Sequence, residues 1–373
     1  MQKTTKVLFT DGEGPLVFKD LASDLMGRIT FEFQGRKIQG ADFFELLSLY
    51  DDYLAEVGTE GYQAGDTLAL VVPHFLHHGI TDEDVKQEAE GTQVCLGVKE
   101  YIDGLKKDDY EVRVISTAYS QMWERVGDYL GIPQKYIACT ELDLAGLREK
   151  YQTPQFKEMV EKMEQEVLPL LPLIPEMKKE IDEGKSVVDV FNNTKYISLR
   201  DRLDRFYWQD LKELGYQTLG EVEVMGGRRK VEAAKRFAHE LGIPINRVAY
   251  VGDSITDDKI HEYLKREGGL PIAINGNFYA LRHARVAVAT IDMRNIRPVL
   301  NAWYEGGFRA VEKFIEVSQA ARLVGKERTP VPAEEGGPYY HLLEGINAQE
   351  RERALDIHKI FRKAVRGAVA DLG

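Results

Sequence analysis

Six short apolar runs constrain this chain more than any other feature: "KVLFT" from Lys6, "EVRVIS" from Glu111, "GEVEVM" from Gly220, "RVAYVG" from Arg247, "LPIAIN" from Leu270 and "ARVAVAT" from Ala284. Each is bounded by turn residues, and most adjoin an amphipathic helical pattern. "VKEYIDGLKKD" precedes the second run. "KVEAAKRFAHELG" comes after the third and stops at Gly242, with Pro244 beyond. "DDKIHEYLKREGG" comes after the fourth. Strands that are apolar throughout and separated by helices belong in a parallel sheet covered on both faces. The expected fold is therefore α/β, a doubly wound parallel sheet.

Two stretches interrupt the alternation. Residues 16–90 read as helical and amphipathic, with "ADFFELLSLYDDYLAEV" the clearest element, and residues 141–223 as charged and largely helical. The expected division is a core of residues 1–15, 91–140 and 224–325, a helical insertion at 16–90, a second at 141–223, and a linker with a C-terminal helix at 326–373. "VLPLLPLIPEM" from Val167 carries Pro169, Pro172 and Pro175, which read as a packed, extended connector because each ring removes a backbone donor. "KERTPVPAEEGGP" at 326–338 reads as a linker. The helix after it has a basic polar face and is expected to dock on the body.

Composition excludes several classes. The net charge of −12, from 61 acidic and 49 basic residues, argues against a nucleic-acid binder or a protein docked on an anionic membrane. No run reaches the ~18 apolar residues of a spanning helix, and the N-terminus enters a strand without a cationic leader. The 2 cysteines, Cys95 and Cys139, can build neither a disulfide framework nor a thiolate zinc site. A reducing, cytoplasmic setting is expected.

In an open parallel sheet, ligands bind beyond the carboxyl ends of the strands. The residues just beyond each run are therefore informative. Asp11 and Glu13 stand after the first, Ser116 and Thr117 after the second, Gly226, Gly227 and Lys230 after the third, and Asp253, Asp257 and Asp258 after the fourth. Carboxylates crowded as Asp11, Asp253 and Asp257 would be need a cation between them, and oxygen-only ligands suit Mg²⁺. Hydroxyls, backbone amides and a lysine suit a phosphoryl group. A carboxylate aimed at that group can attack it, and a second one two positions on can protonate the leaving oxygen and then activate water. Asp11 and Glu13 fit nucleophile and proton shuttle.

"FTDGEGP", "VISTA", "GGRRK" and "VGDSITDD", in this order, resemble the motifs of the haloacid dehalogenase superfamily of phosphohydrolases. The resemblance implies a Rossmann-like core with cap insertions and Mg²⁺ as cofactor. It implies Asp11 as nucleophile and metal ligand, and Glu13 as general acid/base with its backbone carbonyl on the metal. Ser116 would hydrogen-bond the phosphoryl group, helped by Thr117 and the amide of Gly12, and Lys230 would offset charge there. Asp253 would ligate Mg²⁺ directly, while Asp257 would bind it through water or orient Lys230, with Asp258 its substitute. Asp is usual where Glu13 stands. The extra methylene displaces the carboxyl by up to about 1.5 Å, and errors of that size can cost about a hundredfold in rate. "DGEGP" is also similar to a narrower, mainly archaeal group labelled as related to subunit R of energy-converting hydrogenase A.

The expected activity is hydrolysis of a small phosphorylated metabolite through an aspartyl phosphate. The alternatives are a non-catalytic accessory protein on the same fold and a phosphotransferase or phosphonatase variant. A homodimer is left open. Ser116 also fits a helix cap. His74, His77 and His78 in "PHFLHHG" have no acidic or cysteine partner spaced near them and read as surface or interface. "AINGN", around Asn275 to Asn277, fits a turn beside Asp253. Cys95, Cys139, Trp123 and Trp208 read as packing residues.

Overall fold

The computed structural model describes residues 5–323 and 337–367. Nine strands are present among them: β1 (Lys6–Thr10), β2 (Thr30–Phe33), β3 (Arg36–Gln39), β4 (Tyr110–Tyr119), β5 (Ile137–Thr140), β6 (Val248–Gly252), β7 (Leu270–Ile274), β8 (Val286–Ala289) and β9 (Tyr339–Leu342). Seven form one sheet in the order β5-β4-β1-β6-β7-β8-β9. All its pairings are parallel except β8 with β9. The fold is α/β, Rossmann-like, with helices on both faces. Val7, Leu8 and Phe9 of the central β1 are fully buried, as an apolar run on a two-sided sheet must be.

The strand order sets the position of the crevice. From β1 the chain steps one way to β4 and β5, then returns to the other side of β1 as β6 and continues to β8. The reversal falls between β1 and β6, where the loops leaving two adjacent strands diverge and open a cleft.

Several sequence expectations need correction. "GEVEVM" is not a strand. Its backbone bonds to side chains instead of a ladder: Met225 N–H donates to Thr140 Oγ1 (3.0 Å) and Met225 C=O accepts from Thr117 Oγ1 (3.2 Å). The proline-rich connector is not extended. It is a 3₁₀ turn, Leu168–Leu173, between the helices Pro154–Val167 and Ile174–Asp182. Pro169 and Pro175 stand in first turns, where a missing N–H costs nothing. Residues 16–90 are not wholly helical, since β2 and β3 form an antiparallel hairpin there. Gln34 and Gly35, both at positive φ, make its two-residue turn.

The two helical stretches interlock through buried polar contacts. Glu164 Oε1 accepts from His74 Nδ1 (2.7 Å), and both its oxygens lie within 3.1 Å of His78 Nε2. Tyr207 donates to Leu70 C=O (3.1 Å), and its hydroxyl also meets His74 Nε2. His74 is thus fully buried rather than at a surface, and its acidic partner comes from 90 residues away in sequence. The C-terminal helix, Ala348–Arg366, docks on the body: Phe361 and His358 are fully buried, and His358 Nδ1 accepts from Gly276 N–H (3.0 Å). Residues 326–336 of the expected linker lie outside the described residues. No helix among the described residues is long and apolar enough to cross a membrane.

Burial alone would raise the Glu164 carboxyl, but hydrogen bonds from His74 and His78 outweigh it and hold the group at about 2. A carboxylate depressed in this way adds stability that is full above its ordinary value and is lost as pH falls through the folded one. Glu164→Ala is expected to cost about 3 kcal/mol at neutral pH, because it strips buried imidazoles of their acceptor. The gap to the parent should narrow below about pH 4.5. Urea denaturation at descending pH measures both, and a pH-independent gap would contradict this role for Glu164.

Candidate active site

Asp11 leaves the end of β1 and Asp253 the end of β6, on either side of the sheet's reversal. The turn after Asp11 is held by Leu16 and Val17 N–H, which both donate to Gly12 C=O (2.9 and 3.0 Å). Glycine is required twice in it. A Cβ on Gly12 would lie 1.9 Å from the Trp123 ring. One on Gly14, whose φ is +97°, would lie 2.4 Å from the Asp253 carboxyl. The motif's glycines thus let the first loop press against the fourth.

Lys230 lies at the bottom of the crevice, fully buried. Its ammonium donates to Asp11 Oδ2 (2.8 Å), Asp257 Oδ1 (2.8 Å) and Thr256 Oγ1 (3.1 Å). Arg228 and Arg229 do not reach the site: Arg229 pairs with Asp66 (2.6 Å), and Arg228 is exposed. Asp257 takes two further donors on Oδ2, the amides of Asp253 (2.8 Å) and Ser254 (3.1 Å), and the Tyr250 hydroxyl on Oδ1 (2.6 Å). Burial would raise Asp257, but Lys230, the nearby His261 and the Tyr250 hydroxyl bring it below the ordinary range. Burial pushes Asp11 well up, and Asp257 and Asp253 add to the effect against the pull of Lys230. Asp258 is elsewhere, paired with Arg282 (2.8 Å).

One oxygen each from Asp11, Asp253 and Asp257 lie within 4.8 Å of one another. Asp253 Oδ1 is buried and has no hydrogen-bond partner among the described residues. A hard cation satisfies such an oxygen, and a set of carboxylates suits Mg²⁺. Asp11 and Asp253 fit that ion. Asp257, with its oxygens filled by four donors, fits the orientation of Lys230 better than direct ligation.

Glu13 lines the same pocket as Asp11 and Asp253, and its Oε1 accepts from Leu21 N–H (3.3 Å). Enclosure and the adjacent Asp20 raise its carboxyl well above the usual range, and Arg366 opposes them. Ser116 and Thr117 lie in β4, where its pairing with β5 shifts register. Ser116 Oγ accepts from Ala118 N–H (3.2 Å) and caps no helix, since the next one begins at Ser120. Asn277 N–H donates to Asp253 C=O (3.1 Å), so the "AINGN" turn does adjoin that residue.

The crevice is a pocket of about 60 Å³, roofed from the 16–90 segment by Phe44, Ser48, Thr67 and Leu68. Asp51 pins the roof by accepting from the amides of Gly65 (3.0 Å) and Thr67 (3.2 Å) and from Tyr62 (2.6 Å). Two residues that the motif reading missed enter from the C-terminal helix. Arg362 Nη1 donates to Asp253 Oδ2 (2.5 Å) and to Asp253 C=O (3.0 Å). Arg366 Nη1 donates to Asp253 Oδ2 (3.1 Å) and lines the pocket. The basic face of that helix was the available signal, but nothing local tied it to a site some 110 residues earlier.

No family model matches the chain, and no curated protein does. The solved structure of gene product AF1437 from Archaeoglobus fulgidus is similar with a TM-score of 0.69 and 26% identity, over 99% of each chain. Phosphoserine phosphatase is similar more loosely. A phospho-aspartyl intermediate analogue gives a TM-score of 0.48 at 15% identity, covering 79% of this chain and 99% of that one. An apo form gives 0.47 at 14%, covering 79% and 98%. These overlaps are too loose to carry a function across. The likeness to AF1437 spans both chains, so it includes the helical segments as well as the sheet.

Proposed function

We propose that this chain is a Mg²⁺-dependent phosphatase of the haloacid dehalogenase superfamily, acting on a small phosphorylated metabolite. The observation that carries the reading is the approach of Asp11 and Asp253 across the sheet's reversal, with Lys230 bonded to Asp11 and one Asp253 oxygen buried without a partner among the described residues. The four sequence motifs add to it independently. The pocket's size favours a small substrate, since about 60 Å³ holds roughly four or five waters. The segments 16–90 and 141–223 serve in this reading as caps over the crevice.

A carboxylate oxygen of Asp11 attacks phosphorus, the ester P–O bond breaks, and an aspartyl phosphate remains. Glu13, whose enclosure and neighbour Asp20 favour its protonated form, gives its proton to the departing oxygen. Water then attacks the phosphorus, Glu13 takes back a proton, and the bond to Asp11 breaks to release phosphate. Lys230 aims Asp11 and opposes the burial that favours its protonated form, and Asp257 keeps Lys230 charged. Bound to Asp11, Asp253 and the Glu13 carbonyl, Mg²⁺ would supply charge neutralisation for the phosphoryl oxygens. The longer Glu13 side chain is anchored by its bond from Leu21 N–H.

The accessory-protein reading rests on one observation, that Arg362 and Arg366 already neutralise Asp253. It expects no turnover.

Incubation with p-nitrophenyl phosphate and Mg²⁺ is expected to give turnover that EDTA abolishes. Asp11→Asn should lower it on the order of 10⁴-fold or more. A folded parent protein inactive on a broad phosphate-ester panel would favour the accessory reading. Mg²⁺ alone should raise the melting temperature, by the equivalent of about 2.7 kcal/mol at a hundred times its Kd. Asp253→Asn should remove that rise. A rise that survives the substitution would place the ion elsewhere.

A further inference from the structure

The side chains expected to receive a phosphoryl group are largely committed to other partners. An ammonium has three N–H bonds, and those of Lys230 go to Asp11, Asp257 and Thr256. The Thr117 hydroxyl donates to Met225 C=O (3.2 Å). Beyond the charge that Mg²⁺ would supply, a cationic side chain that can meet a dianion must come from elsewhere, and among the described residues the one lining the pocket is Arg366. Its side chain is 6% exposed, and its Nε is buried with no partner among the described residues. A buried guanidinium with an unused donor costs stability in the empty site, and an oxyanion that fills its fork offsets that cost.

Residues 358, 362 and 366 lie four apart and share one helix face. That face is clamped in place. His358 accepts from Gly276, Arg362 grips both the side chain and the backbone of Asp253, and Phe361 is fully buried alongside. The helix therefore presents Arg366 from a fixed seat.

We infer that Arg366 contacts the phosphoryl oxygens of the substrate as a binding residue of this active site, and that Arg362 positions Asp253, so that the C-terminal helix completes the catalytic centre. The inference rests on the phosphatase reading. It assigns to the end of the chain a task for which the four motifs supply no free cation. The ligand is a phosphate monoester dianion, with inorganic phosphate as the product that shares its chemistry.

The test compares the parent protein with Arg366→Ala and Arg366→Lys. Calorimetry measures binding of inorganic phosphate with Mg²⁺ present and of Mg²⁺ alone, and kinetics on p-nitrophenyl phosphate separates KM from kcat. Arg366→Ala is expected to weaken phosphate binding and raise KM by about tenfold or more, as loss of a charge-assisted hydrogen bond should. Its Mg²⁺ affinity should stay within about twofold. Arg366→Lys should recover part of the loss. If Arg366→Ala does not fold, Arg366→Lys carries the comparison: phosphate binding weakened about threefold or more supports the assignment, and unchanged binding overturns it. If Arg366→Ala binds phosphate like the parent while holding Mg²⁺ more tightly, the arginine is only a counter-charge and the inference is overturned. A parent that neither turns over ester nor binds phosphate defeats the phosphatase reading and this inference together. An active parent with an indifferent Arg366→Ala defeats the inference alone.

Discussion

A single buried ammonium holds the centre of this molecule together. Lys230 bridges Asp11, at the tip of the central strand, and Asp257, in the loop after its neighbour. Each of these groups is fully enclosed and would be costly alone, since removing one member of a buried ion pair typically costs about 3–5 kcal/mol. Together they form a network with every Lys230 proton and every Asp257 oxygen satisfied. That saturation makes the base of the crevice rigid. The carboxylates of Asp253 and Glu13 are left around it, and their demands shape the rest of the site.

Those demands explain why so much of the chain converges there. Asp253 draws Arg362 and Arg366 from the C-terminal helix, and Asn277 from the next loop. Glu13 reaches the amide at the start of the helix Leu21–Gly27, so the first helical segment is tied to the loop after β1 within ten residues of it. The roof is tied in turn by Asp51, and the two helical segments by Glu164 among its histidines. The cavity is therefore narrow because polar groups from distant segments each find their partner at its edge.

The sheet strands with unbroken apolar runs were legible from residues alone, because a strand buried on both faces must be apolar at every position. "GEVEVM" has the opposite character. Its glutamates alternate with valines, Glu221 pairs outward with Lys150 (2.9 Å), and Val224 is fully buried. Alternation of that kind describes any half-buried extended segment, and only the strand ends beside it decide whether it joins a ladder. The prolines of Val167 onward misled for a related reason. A ring breaks an α-helix interior but not a first turn, and the short 3₁₀ turn holds Pro172 within it, so where one helix stops and the next begins is a matter of packing. The histidines looked unpartnered because their carboxylate lies 90 residues ahead.

Sequence by itself determined the sheet's character and the order of the acidic and hydroxyl strand ends. These come from local rules, namely the alternation of strands, the side-chain length at each strand tip and the steric limits of the backbone. Tertiary structure decided why Gly12 and Gly14 must be glycine, that Asp257 rather than Asp258 meets Lys230, and that two arginines from the far end of the chain stand over Asp253. Those choices depend on burial and on charges brought together across long sequence separations. Coulombic pairing in a low-dielectric interior acts through space, and no spacing along the chain encodes it.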